Sequence, residues 1–270
     1  MTATTLAWID GTWGSPETLQ LPLQERGLLL ADGLFETVLI LDRRPQLLEQ
    51  HLRRWRSSAQ LLGLAEPPDQ GTLMPLIEAG LQQLEWPSGN GILRLNWSSG
   101  SNAARGLDRP SPGGERFWLQ LNAGEPRFSG VTTTISRHER RNASSRLSRC
   151  KTFAYGQSIQ ARLEAQQAGA EDALLLSTTG ELCCGTAANL LVHRRGQWLT
   201  PPLSSGALPG VMRAQLLERG LATETSLSRD PEPGDHWLLI NSLSCRPVLA
   251  VEAKALLPWP DPQALWRSLL

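Results

Sequence analysis

Lysine is rare in this chain. Of 26 basic residues only Lys151 and Lys254 are lysines, and the rest are arginine. Chemistry that joins an amine to a carbonyl needs a nitrogen that can shed its proton, which a guanidinium does not do. Amine chemistry therefore has two candidates. Lys151 stands in SRCKTFAYGQ, at the end of a loop and just before a helical pattern. That position suits a lysine whose pKa is lowered for catalysis, and it equally suits an ordinary surface lysine. The segment Leu208-Pro209-Gly210-Val211-Met212-Arg213 reads as a helix start. Free amides and the helix dipole there favour a phosphate, and Gly210 permits close backbone approach. In HLRR, residues 51–54, an inward-pointing arginine could grip phosphate through two parallel bonds. Alone, the second segment is also an ordinary turn, and the third a solvated helix face.

Alternating strand and helix patterns must position these groups. Residues 6–12 and 34–41 read as strands, the first with an Asp10-Gly11 hairpin turn. After Pro45, Leu48, Leu52, Trp55, Leu61 and Leu62 follow one helical face, and a second helix spans about 71–84. Strands near 91–97 and 116–122 flank a Gly/Ser/Pro-rich loop, 98–114, long enough to suggest a functional role. Next come a strand at 130–137, an arginine-rich loop to Lys151, and a helix at 155–168 ended by Gly169. Strands at 172–177 and 187–193, a helix from Gly210 to Gly220, and strands at 236–241 and 247–251 complete the pattern. The chain is long for one core, and the expected organisation is α+β or α/β in two domains. These are an N-terminal α+β domain at 1–121, a linker at 122–129 and a C-terminal α/β domain at 130–270. Trp55, Trp118 and Trp198 read as core or interface residues.

Composition removes other classes. The formal net charge is zero and no run of like charges stands out, which argues against nucleic acid or an acidic membrane as partner. No apolar stretch of about 18 residues exists and no signal peptide is evident, so a cytoplasmic protein is expected. Cys150, Cys183, Cys184 and Cys245 form no CxxC pair and the histidines are scattered, so neither disulfides nor zinc are expected.

Taken together and in order, these segments resemble a known superfamily: the fold-type IV pyridoxal-phosphate (PLP) enzymes, which include branched-chain and D-amino-acid aminotransferases and aminodeoxychorismate lyases. The matching stretches are RGLLLADGLFET (26–37), HLRR (51–54), the Lys151 region with EAQQAGAEDALLL, GTAANLLV (185–192), TPPLSSGALPGVMR (200–213) and NSLSCRPV (241–248). They span nearly the whole chain. The resemblance implies that Lys151 holds PLP and moves protons. It makes Arg54 the phosphate-gripping arginine, and Val211 and Met212, beside Gly210, the amides on the same phosphate. Asn189 matches an asparagine ending the cofactor-side strand, and Ser242 lies at a second strand end near phosphate or substrate. NSL followed by RPV is similar to the lyase branch, which converts 4-amino-4-deoxychorismate to 4-aminobenzoate and pyruvate for folate synthesis. Arg94, Arg105 and Asn241 are the candidates for binding that dicarboxylate substrate. The long loop of such folds reaches a partner subunit's site, which implies a homodimer.

The chain departs from the family at one chemically telling place. Members usually carry a glutamate five residues before the motif asparagine, paired with the protonated pyridine nitrogen of PLP. Here that position is Cys184, and Glu181 lies three positions too early. A thiol supplies no negative charge unless its pKa falls far. Transamination depends on the electron sink that such a carboxylate maintains. The expected reaction is therefore the lyase, ahead of an aminotransferase or a catalytically silent PLP-binding homologue.

Overall fold

The structure is a computed structural model and describes residues 4–102, 106–109 and 113–270. It divides into two compact units: Met1–Glu125 with Lys151–Ala154, and Pro126–Cys150 with Tyr155–Leu270.

The first unit contains β1 (Thr5–Ile9), β2 (Thr12–Gly14), a short α1 (Arg26–Leu30), β3 (Gly33–Leu41) and β4 (Arg44–Pro45). It continues with α2 (Leu48–Leu62), α3 (Gln70–Gln82), β5 (Gly91–Ser98) and β6 (Arg116–Ala123). The strands form one antiparallel sheet in the order β2-β1-β6-β5-β3-β4. Asp10 and Gly11 both take positive φ between β1 and β2, as the expected hairpin requires. Side chains alternate along β3, so Glu36 and Phe35 lie on opposite faces. α2 covers the Glu36 face and buries Leu48, His51, Leu52, Trp55, Ser58 and Ala59. Leu61, expected on that stripe, is exposed at the last turn. The small Ala59 takes the contact instead, which lets the helix lie close to the sheet.

The expected second domain is interrupted. Lys151–Ala154 belongs to the first unit, because this segment adds to the start of β3. Phe35 N–H donates to the Lys151 carbonyl at 2.9 Å, and Phe153 N–H to the Gly33 carbonyl at 3.1 Å. Phe153 stacks on Phe35 at 6.3 Å and leans on Trp118 at 5.6 Å.

The second unit holds β7 (Val131–Arg141), α4 (Gly156–Gln167), β8 (Asp172–Ser177), β9 (Leu182–Gly185), β10 (Asn189–Arg194) and β11 (Gln197–Thr200). After these come α5 (Val211–Glu218), β12 (Ala222–Glu224), β13 (His236–Asn241), β14 (Ser244–Val251), β15 (Lys254–Ala255) and α6 (Pro262–Arg267). β9 pairs with both β8 and β10, so the path β10-β13-β14-β7-β8-β9 closes into a barrel. The interior is filled by aliphatic residues including Val131, Leu174, Leu190, Val192, Leu239 and Val248, with Trp237. Outside, Ala161 and Ala165 of α4 pack with Leu175, Cys183 and Cys184. β9 was not expected from the sequence. It is four residues long, and its register on β8 shifts between Leu175 and Leu176, leaving Cys183 as a bulge residue. That irregularity erases the alternation by which a strand is read.

Gly33 is the tightest point in the anchoring of Lys151. A Cβ there would lie 2.2 Å from Phe153 Cε2 and 2.8 Å from the Trp97 carbonyl oxygen. Gly33→Ala is expected to cost about 1–3 kcal/mol through overpacking. Gly156→Ala, whose Cβ meets nothing within 4 Å, should change stability by no more than about 0.5 kcal/mol. Denaturant unfolding of the two variants checks the difference.

Candidate active site

In the first unit the site begins with a carboxylate that burial would normally neutralise. Glu36 is 1% exposed. Arg54 grips it with two bonds, Nε to Oε1 at 2.9 Å and Nη2 to Oε2 at 2.5 Å. His51, one turn earlier on α2, places Nδ1 2.7 Å from Oε2. Burial alone would raise the Glu36 pKa, but the Arg54 charge and the His51 bond outweigh it and hold the group at about 2. Burial lowers the His51 pKa, opposed by Glu36 and assisted by the charges of Arg54 and Lys151. His51 is thus neutral near pH 7 and donates from Nδ1. The arrangement fixes the plane and direction of the Arg54 guanidinium.

On the opposite face of β3, Lys151 Nζ lies 4.2 Å from the Phe35 ring centre and the Arg94 guanidinium 3.7 Å from it. Arg94 Nε also donates to Asn96 Oδ1 at 2.8 Å. An amine and a fixed cation therefore share one aromatic surface. Lys254, the other lysine, forms a surface ion pair with Asp230 at 2.8 Å, which leaves Lys151 as the amine in a built environment. The long loop is tied down near its middle: Arg26 donates to the carbonyls of Leu107 and Asp108, and Arg109 grips Asp32. Arg105 lies outside the described residues.

In the second unit, Asn189 opens β10 and is the direct partner of Cys184 on β9. The expectation that it ends a strand is corrected: the extra strand β9 turns tightly through Gly185–Ala188, so the asparagine starts the next one. Asn189 Nδ2 donates to the Leu208 carbonyl at 2.9 Å, joining the barrel to the segment before α5. A Cβ on Gly210 would lie 1.9 Å from Asn189 Oδ1, so only glycine fits. No side chain caps α5, and Val211 and Met212 provide its first amides. Asn241 spends its amide on structure: Nδ2 donates to the Ala187 carbonyl, while Oδ1 accepts from Leu243 N–H and Ser244 Oγ. It organises the turn that carries Ser242. Cys184 is buried, and its bond to Cys183, together with burial, pushes its pKa well above the usual thiol range.

Each unit offers donors of the kind a phosphorylated aldehyde needs. The first has a buried, oriented arginine suited to a phosphate and a half-buried lysine suited to an aldehyde, and the second has a helix start with a glycine cradle suited to a phosphate. Sequence reasoning missed Phe35, Glu36 and His51 as site residues, although all three stand in the quoted motifs. It also missed Arg162, which reaches Thr186 Oγ1 and pairs with Asp172 at 2.9 Å, holding the β9–β10 turn. Nothing local in the sequence links α4 to that turn.

An antiparallel α+β unit and a barrel unit with this donor set define a fold-type IV pyridoxal-phosphate enzyme. The family model described as amino-transferase class IV matches residues 33–251, and the chain belongs to that family. A Schizosaccharomyces pombe protein provisionally named an aminodeoxychorismate lyase is 30% identical over 226 residues, covering 82% of this chain and 90% of its own. A Mycobacterium tuberculosis protein named bifunctional aminodeoxychorismate lyase / D-amino acid transaminase is 27% identical, covering 78% and 76%. The structure of a Brucella abortus aminotransferase bound to the co-factor PLP superposes with a TM-score of 0.84 at 20% identity, covering 98% of this chain and 97% of that one.

Glu36→Gln should lower unfolding free energy at pH 7 by about 3–5 kcal/mol, the range for breaking a buried ion pair. Because Glu36 sits at about 2 when folded, its contribution is complete above the ordinary carboxylate pKa and is lost as pH falls through about 2. The variant's stability should therefore decline less steeply on acidification, as urea unfolding between neutral and acid pH can show.

Proposed function

We propose that the enzyme is an aminodeoxychorismate lyase, converting 4-amino-4-deoxychorismate to 4-aminobenzoate and pyruvate. The observation that carries the choice of reaction is a buried thiol, Cys184, where the resemblance expects a carboxylate. Bound PLP supplies an aldehyde for the substrate amine and a conjugated ring that draws electrons from the carbon bearing it. At the position where the resemblance expects a carboxylate beside the ring nitrogen, Cys184 offers no negative charge. A reaction that must accumulate charge on the ring suffers most from this. A reaction driven by aromatisation of its own product suffers least.

Lys151 Nζ, set above Phe35, takes the proton from C4 of the substrate ring. The C3–O bond to the enolpyruvyl group then breaks, and the proton returns to the departing enolpyruvate, so no net proton is gained or lost. Arg94, on the same aromatic surface, binds a substrate carboxylate. Arg54, held by Glu36, and the amides of Val211 and Met212 behind Gly210 bind the cofactor phosphate. Asn189 holds that helix start in place, and Ser242 sits in the turn that Asn241 organises. The lyase names of the two relatives and the NSLSCRPV segment support the same reading. The transaminase half of the M. tuberculosis protein's name supports the second reading, an aminotransferase.

Supplied with chorismate, glutamine and the aminating enzyme, wild type should form 4-aminobenzoate, and Lys151→Ala should be slower by a factor of about 10²–10⁴ or inactive. Borohydride reduction with PLP should leave a pyridoxyl label on Lys151. Amino transfer to 2-oxo acids without 4-aminobenzoate would replace the lyase by the aminotransferase reading. Label without either product would indicate a silent homologue.

We further propose a homodimer. Leu28, Leu29 and Leu30 of α1 are 60, 62 and 45% exposed, and exposed apolar groups so concentrated in one short segment are of the kind that marks association. Light scattering should give the mass of two chains, and Leu29→Glu should shift it toward one.

A further inference from the structure

The outer face of the barrel carries a cluster of rings well away from Asn189. His193 on β10 and His236 on β13 are directly opposed. Trp198 on β11 is the partner of His193 on its other side. Trp259, from the tail after β15, meets His193, Trp198 and His236 at 4.8, 4.8 and 5.5 Å. His193 stands four residues beyond Asn189, or about 13 Å along an extended strand.

We propose that His193 and His236 form a binding site for a late first-row transition cation such as Ni²⁺ or Zn²⁺. Metal–nitrogen bonds of about 2.0–2.1 Å place the centres of two ligating imidazoles about 4.5–5 Å apart at octahedral-cis or tetrahedral angles, so binding draws the two rings together by about 1 Å. The two rings stand 6.0 Å apart, with their planes at 51°. His236 Nδ1 lies 2.9 Å from the Leu257 carbonyl oxygen. A carbonyl only accepts, so Nδ1 carries the proton and Nε2 keeps its lone pair. This is the outer-sphere arrangement that orients metal-binding histidines. Neither ring nitrogen of His193 has a protein hydrogen bond among the described residues. Both side chains are half-buried, so an ion can reach them.

Burial and the neighbouring His236 lower the His193 pKa, which favours the neutral imidazole that a metal requires. Trp198 and Trp259 flank the His193 ring, with ring centres 4.9 and 4.8 Å away. No group of three or more histidine, cysteine or acidic side chains suited to a metal exists among the described residues. The remaining coordination positions therefore belong to water, and the ion is exchangeable. Imidazole ligands without thiolate or carboxylate suit nickel, copper and zinc rather than magnesium or calcium.

The test is a titration of untagged, full-length protein with NiCl₂, followed by calorimetry and tryptophan fluorescence. One Ni²⁺ per chain should bind and quench the emission of the adjacent tryptophans, while Mg²⁺ should do neither. His193→Phe and His236→Phe keep a ring in the cluster and remove the ligand, and each should weaken binding about tenfold or more. His138→Ala, at an exposed position elsewhere in the chain, should leave binding unchanged. Undiminished Ni²⁺ affinity in both phenylalanine variants, or no binding by wild type at about 1 mM Ni²⁺, would overturn the site.

Discussion

A carboxylate with almost no access to water, Glu36, sets the terms for the first unit. An ion so placed survives only if cations and donors replace its hydration. Two residues of one helix do this, and they are three positions apart, so they lie on the same face. The consequence runs in both directions. The carboxylate fixes how α2 is rotated against β3, and α2 in return presents Arg54 as a bidentate, oriented cation. Lys151 is within electrostatic reach of the same group, since its charge helps lower the His51 pKa. One buried acid therefore orients both the helix and its arginine.

The second unit solves a different problem, which is to start a helix at a residue with no side chain to cap it. A helix start normally acquires a capping side chain, and α5 has none. What prepares it is the contact between Asn189 and the segment before the helix, with Gly210 allowing an approach that any Cβ would block. Asn189 can act there because β9 closes the barrel and turns back at once into β10. Arg162, Asp172 and Thr186 then hold that turn from outside. The barrel is thus more than a scaffold. Its closure delivers the asparagine to the helix start.

The sequence made some of this legible and hid the rest for identifiable reasons. Strand β8 is buried along its whole length and reads as a continuous apolar run. The start of α5 and its stop at Gly220 follow from local punctuation. The HLRR pattern alone showed that an arginine could point inward, and only the family resemblance singled out Arg54. Arg53 pairs with Glu49 at the surface, whereas Arg54 turns to Glu36, eighteen residues back along the chain. The choice depends on how the helix packs, which no local pattern encodes. The capture of Lys151–Ala154 by β3 is likewise a long-range pairing, and it interrupts the continuous second domain expected at 130–270. Asn241, named for its place in a recognised motif, bonds through its amide to Ala187, Leu243 and Ser244 around the turn.

The Cys184 position carries the chemical argument because nothing nearby takes its place. Glu181 precedes β9, three residues or about 10 Å of extended chain from Cys184, and it accepts a bond from Thr179 in the β8–β9 turn. Asp172 lies nearer and adds to the rise in the Cys184 pKa, but Arg162 and Thr186 occupy its oxygens. Ionising Cys184 would set a second anion beside Asp172 in a place already closed to water. The thiol therefore stays neutral, and the local field is that of a compensated ion pair rather than of an available carboxylate. On the proposed reading, Cys184 would face the ring nitrogen without a charge to hold its proton. The driving force would then come from the substrate, and the formation of an aromatic ring is a driving force of that kind.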